Sequence, residues 1–399
     1  MRIRFRAAAG VTVALALAVA GCSSGGGSGG SSDTGSSATP GTQTSAANST
    51  SAQSSAPTTS SAGTDASAGP TSVLPTATAS GNLTTVEYGS VGGMTDGPLY
   101  IADALGLFAQ EGIKVKFNRF ASGTQIQAAM VTGSLDVGAI AVSAGLLNSI
   151  AAGDGLKFVA DRQSQDGPNR LGEGFLVSKK LTAGVDITDP KANGAMLRGK
   201  KIAITGKNTS TELMLVDLLK TYGLQESDVQ VVVLPFASMA AAFDTGAIDA
   251  GIVLEPFRQS ILASGTAVQV SHFDGVLPSG SLVPVSYSKK FASEKDLAEG
   301  FMLAFLHGAV IMNNALAGDK AYHDQVVQII AKYSDLPAAT VAASDPPGID
   351  PDHPVDITYM NAFQDFMIER GVMKQKVDIA SAVDDSFAAA ARAKLNIGK

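Results

Sequence analysis

From residue 84 onward, apolar positions along the chain alternate between two periods. Short continuous or alternating apolar runs predict strands: TTVEYGS at residues 84–90, IKVKFNRF at 113–120, LDVGAIAV at 135–142 and LKFVADR at 156–162. Between them, PLYIADALGLFAQEG, TQIQAAMVTG and AGLLNSIAAG repeat apolar residues at helical spacing. A second series starts at KKIAIT (200–205) and runs through STELMLVDLLKTYG, VQVVVLPF, ASMAAAFDTG and IDAGIVLEPF to residue 257. Strand-helix-strand order implies parallel strands joined by right-handed crossovers. The expected fold class is α/β, with two lobes, each a doubly wound, mostly parallel sheet, and a hinge between them.

The two series share a small device. AAMVTGSLDVGAI at 128–140 is repeated as AAAFDTGAIDAGIV at 240–253, so that Gly133, Asp136 and Gly138 fall on Gly246, Asp249 and Gly251 at one spacing of 113 residues. Gly133 and Gly246 fit a left-handed helix cap. Each aspartate opens the next buried strand, and the glycine after it lets neighbouring chain pack close. The tail from residue 291 has helical periodicity. EGFLVSKKL from residue 173 and GSLVPVSYSKKF at 280–291 are apolar stretches suited to carry the chain out of the first lobe and back. The expected organisation is residues 83–175 plus 286–399 for lobe 1 and 176–285 for lobe 2, with the hinge near 172–180 and 280–288.

The amino-terminal segment changes this picture. Arg2, Arg4 and Arg6 precede an apolar run to Ala20 and then Cys22, the arrangement of an export signal over residues 1–21. The run is shorter than the roughly 20 residues that span a bilayer. VAGC at residues 19–22 fits a bacterial lipobox, in which Cys22 carries a diacylglycerol anchor. Cys22 is the one cysteine of 399 residues, so the chain forms no internal disulfide. The stretch 22–82, rich in Ser, Gly, Ala and Thr, has too few apolar groups to fold alone. As a flexible coil it would reach roughly 45 Å.

With 29 Lys and Arg against 36 Asp and Glu, the chain is acidic, which disfavours nucleic acid as a partner. His272, His307, His323 and His353 have no metal-ligand spacing. The DPPGIDPDHPVD stretch at 345–356 reads as a turn-rich connection rather than a calcium loop. Neither a Ser-His-Asp arrangement nor a Gly-Lys phosphate loop is present, so no catalytic residues, cofactor or metal are expected.

The motifs GPLYIADALGLFAQEGIKVKF, GSLDVGAIAVSA, GKKIAI with NTSTELMLVDLLKTYGL, and GAIDAGIVLEPF occur in that order. The chain thereby resembles the solute-binding proteins of ABC importers, in the branch of sulfonate, taurine, nitrate and thiamine-precursor binders. The resemblance implies a type II periplasmic-binding-protein fold, a monomer tethered on the extracytoplasmic face through Cys22, and membrane permease and ATPase subunits as partners. It departs from the family in having Leu254 where a tryptophan often precedes the Glu-Pro pair, and no tryptophan anywhere.

Two such sheets bind solute between loops beyond the carboxyl ends of their strands. The candidate ligand-binding residues on those loops are Thr95, Asp96, Ser122, Gly123, Thr124, Ser143 and Arg162 in the first lobe. In the second they are Thr209, Ser210, Phe236, Glu255 and Arg258, with Phe257 as further apolar wall. Thr209 and Ser210 double as a helix cap, Glu255 matches the family's cleft motif, and Arg162 or Arg258 is the candidate clamp for an oxyanion. The expected solute is a small sulfonate, taurine-like molecule or carboxylate. A pyrimidine-type precursor and a surface sensor without transport remain the alternatives.

Overall fold

The computed structural model describes residues 81–398 apart from 164–171, 274–279, 318–319 and 346–348, together with Leu74, Thr76 and Thr78. The expected signal segment, Cys22 and most of the expected linker lie outside the described residues. Leu74, placed in that linker by its sequence context, is buried in the first core, and its amide donates to Gln325 Oε1 at 2.8 Å.

The described strands are β1 (Thr84–Ser90), β2 (Ile113–Arg119), β3 (Val137–Ala139), β4 (Lys157–Ala160), β5 (Glu173–Ser178), β6 (Lys201–Ile204), β7 (Gln230–Val233), β8 (Ala250–Leu254), β9 (Ala267–Ser271) and β10 (Val285–Tyr287). They form two five-stranded sheets, ordered β2-β1-β3-β10-β4 and β7-β6-β8-β5-β9. In each sheet the first three strands are parallel. One strand, β10 or β5, runs antiparallel to both its neighbours. These are the two strands that carry the chain between lobes, and each enters its new sheet from the cleft side, against the direction of the wound strands.

Ladder pairing moves the expected boundaries slightly. Glu173 pairs with Leu254 and Phe175 with Ile252, so β5 belongs wholly to the second sheet. Val285 pairs with Ala139 and Ala160, which places it in the first. The chain therefore crosses before Glu173 and again before Val285, not at residues 175 and 286. Where the crossings are described they run side by side, the amide of Leu282 donating to the Gln163 carbonyl at 3.0 Å. Tail residues Phe301, Phe305, Phe363 and Phe387 complete the core of the first sheet. The second sheet carries a separate apolar cluster on each face.

The repeated Gly-Asp-Gly device performs one structural task twice. Gly133 and Gly246 follow helices at φ of 77° and 69°, a conformation that side chains with a Cβ disfavour. The Asp136 carboxylate accepts from the Glu87 amide at 3.0 Å, and that of Asp249 accepts from the Lys201 amide at 2.9 Å. Their carbonyls accept from the amides of Ser288, just after β10, and Ser178, the last residue of β5. Each aspartate thus pins the first strand of its lobe and the crossing strand to the third strand, at the end of the sheet away from the cleft. Among the described residues no helix is long and apolar enough to cross a membrane.

The glycine pair is less symmetric. A Cβ at Gly138 would overlap Met130 Sδ and lie 2.9 Å from Ile126 Cγ2, whereas at Gly251 the nearest atom, Ala203 Cβ, is 3.3 Å away. Gly138→Ala is expected to destabilise the protein by about 1–3 kcal/mol through overpacking and Gly251→Ala by clearly less. Urea unfolding of the two variants at one pH checks the order.

Candidate functional site

The carboxyl ends of the parallel strands in both sheets converge on one cleft of roughly 500 Å³, including its open mouth. It is lined by Val91 after β1, Ala121 to Gly123 after β2, Ala141 after β3, and Arg162 and Gln163 after β4. The second sheet supplies Thr205, Ser210 and Thr211 after β6, Phe236 after β7 and Leu254 at the end of β8. Every loop expected on the cleft walls contributes. Two further lining residues come from the antiparallel strands: Glu173 opens β5, and Val283 lies just before β10.

Three helices of at least eight residues start at this cavity: Gly123–Val131, Ser210–Thr221 and Phe236–Asp244. Helix starts carry amides without intrahelical acceptors and the positive end of the helix dipole. Some of these donors are already used. Ser122 Oγ accepts from the Gln125 amide, and the Ser210 amide donates to the Val142 carbonyl across the cleft at 3.1 Å.

Arg162 is the cation of the cavity wall among the described residues. Its Nη1 donates to Asp96 Oδ1 at 2.7 Å and to Thr95 Oγ1. Asp96 is itself fully buried and held by Tyr88 Oη and Ser90 Oγ, each at 2.6 Å. Arg162 Nε is buried with no hydrogen-bond partner. Leaving such a donor unsatisfied costs about 1–3 kcal/mol, more when it is charged.

Of the residues expected at the site, Ser122, Gly123, Arg162, Ser210 and Phe236 line the cavity. Thr95 and Asp96 lie behind it, holding Arg162. Ser143 caps the helix Ala144–Ala151 by accepting from the Leu146 amide. Thr124 is exposed and outside the lining. Thr209 turns its hydroxyl to the Gly206 carbonyl at 2.7 Å. Phe257 stacks on Phe236 at 6.3 Å from behind.

Arg258 and Glu255, expected as clamp and contact, are instead committed to each other. Arg258 Nε and Nη2 donate to Glu255 Oε1 at 2.9 and 2.6 Å, Nη1 donates to Gln269, and Asp345 takes a further bond. The same Asp345 opens the stretch read as a turn-rich connection. The Arg258–Asp345 pair joins the second lobe to the tail, as do the Arg370 bonds to Glu226 and Glu212 at the far rim. Among the described residues no cluster of three or more His, Cys, Asp or Glu is arranged to hold a metal.

The sequence reading missed Glu173 because it looked for cleft residues after strands. In an antiparallel crossing strand the amino end faces the cleft, so the signal was an acidic residue opening the apolar run GFLV.

A family model for the NMT1-like family matches residues 79–331. The chain belongs to the NMT1-like family. This NMT1-like protein is 26% identical over 284 residues, 68% of its length and 79% of the relative's, to an Escherichia coli K12 protein named for binding aliphatic sulfonates. It is 28% identical over 302 residues, 73% of its length and 83% of the relative's, to a protein of the same description from Bacillus subtilis 168. Among solved structures it is similar to an alkanesulfonate-binding protein from Xanthomonas axonopodis pv. citri bound to MOPS. That match has a TM-score of 0.58 at 24% identity and covers 77% of this chain and 99% of the other. The fold is that of the type II periplasmic binding proteins.

Burial pushes the Glu173 carboxyl up to about 7, partly offset by the Gln163 hydrogen bond and by Arg162. A carboxyl raised on folding from 4.5 contributes its full share of stability below that value and loses it as pH rises through about 7. Glu173→Gln, which stays neutral, is therefore expected to be more stable than the wild type at pH 8 by on the order of 3 kcal/mol. The two should converge near pH 4, as thermal melts across that range would reveal.

Proposed function

We propose that the protein captures a small organic oxyanion, an aliphatic sulfonate foremost, in the cleft between its lobes and hands it to a membrane permease of the ABC type. The observation that carries this reading is the unpartnered Nε of buried Arg162, a residue that lines a cavity on which three helix starts converge. A sulfonate or carboxylate oxygen would satisfy that donor, and helix starts favour negative charge even in a protein of net charge −7. Phe236, Leu254, Val91 and Val283 would enclose a compact apolar body. The relatives named for binding aliphatic sulfonates support the same solute class.

Arg162→Lys tests the clamp while keeping a cation beside Asp96. Sulfonate affinity, measured by titration calorimetry, should fall by about tenfold or more, or 1.4 kcal/mol, while Arg258→Lys should leave it within about twofold of the wild type. Equal losses in both variants would place the anion elsewhere.

We further infer that Cys22 tethers the protein outside the cell through a diacylglyceryl group. Cys22→Ala should leave the folded domain either shed into the medium or held as an uncleaved precursor. Membrane fractionation and mass measurement distinguish these from an anchored mature protein.

A further inference from the structure

Glu173 is a buried carboxyl in a cavity otherwise arranged for anions. It is 4% exposed, lines the same cavity as Arg162, and accepts from Gln163 Nε2 through Oε2. Neither of the other two acidic groups expected near the solute is available to one. Asp96 is saturated by Arg162, Tyr88 and Ser90, and Glu255 by Arg258 and the Gln259 amide. Glu173 has no basic residue bonded to it among the described residues; its side-chain partner is the neutral amide of Gln163. A carboxylate in that position would repel a plain oxyanion, and its lost hydration is only partly offset by the Gln163 hydrogen bond and the charge of Arg162.

Both costs vanish if the solute carries its own hydrogen-bond donor. Resting on the oxyanion reading above, we propose that Glu173 is a specificity-determining residue that selects solutes bearing an amino or other N–H donor in addition to the oxyanion held at Arg162. An amino group presented to Glu173 completes the carboxylate's bonding and neutralises it in place. An alkyl chain in the same space leaves the carboxyl to be accommodated only in its protonated form. The residue sits at the amino end of β5, where the Glu173–Leu254 and Gly174–Val253 pairing fixes its backbone, so its position does not depend on loop conformation.

The test compares ethanesulfonate with 2-aminoethanesulfonate, which differ only in the amino group, by titration calorimetry between pH 5.5 and 8.5. The wild type is expected to favour the amino compound by about tenfold or more at pH 8. Its affinity for ethanesulfonate should fall as pH rises through 7, while that for the amino compound should not. Glu173→Gln, confirmed folded by thermal melt, should lose the preference and flatten the ethanesulfonate profile. Equal affinities in the wild type at pH 8, or a preference unchanged in Glu173→Gln, would overturn the role of Glu173 and leave the oxyanion reading standing. Binding of neither compound across the pH range would overturn both. The wild-type pH profile gives an answer even if the variant fails to fold.

Discussion

The cleft depends on the buried ion pair between Arg162 and Asp96. A guanidinium in the wall of a cavity is expensive unless its charge is paired. Asp96 meets that need from behind the wall, and Tyr88 and Ser90 on β1 hold Asp96 in turn. The chain of contacts runs from a strand in the core, through a carboxylate on the short turn before helix Gly97–Ala104, to the one cation facing the cavity among the described residues. Because every link is buried, the direction of the guanidinium is set before any solute arrives, which reduces the ordering cost of binding.

The second lobe solves a similar problem with the opposite result. Arg258 is buried as deeply as Arg162, yet Glu255, Gln269 and Asp345 consume its donors. It therefore acts as structure, joining the start of helix Phe257–Ser264 to the tail of the chain. Two arginines, each next to a strand end and each near an acidic residue in sequence or space, thus differ in that one has a donor left over. Backbone bonds across the cleft, Ser210 to Val142 and Met94 to Glu255, bring the two walls close enough for hydroxyls and an arginine from opposite lobes to share one cavity.

Glu173 alters the electrostatic character of that cavity. With Arg162 already neutralised by Asp96, the helix starts supply the remaining positive potential, and the ionisation of one carboxyl decides how much of it a solute meets. Gln163 links the two sides of the site, since its side chain holds Glu173 and its backbone carbonyl accepts from Leu282 on the returning crossing. The connections between the lobes and the wall of the cavity are therefore partly the same residues.

Much of this arrangement was legible in the sequence. The two periods of apolar residues determined two wound α/β sheets, and the repeated Gly-Asp-Gly spacing marked the same place in each lobe, because the backbone conformation at Gly133 and Gly246 depends on near neighbours, whereas the bonds made by the two aspartates reach residues 49 and 48 positions away. The loops after the strands were identifiable for the same reason. Which of two arginines keeps a free donor was decided only by tertiary contacts, as Asp96 lies 66 residues from Arg162 and Asp345 lies 87 from Arg258. The cleft position of Glu173 was decided likewise, by the antiparallel insertion of β5 between β8 and β9. Local pattern records which residues are buried, but the partner that occupies a buried charge is chosen by chain segments that meet only when the sheets are assembled.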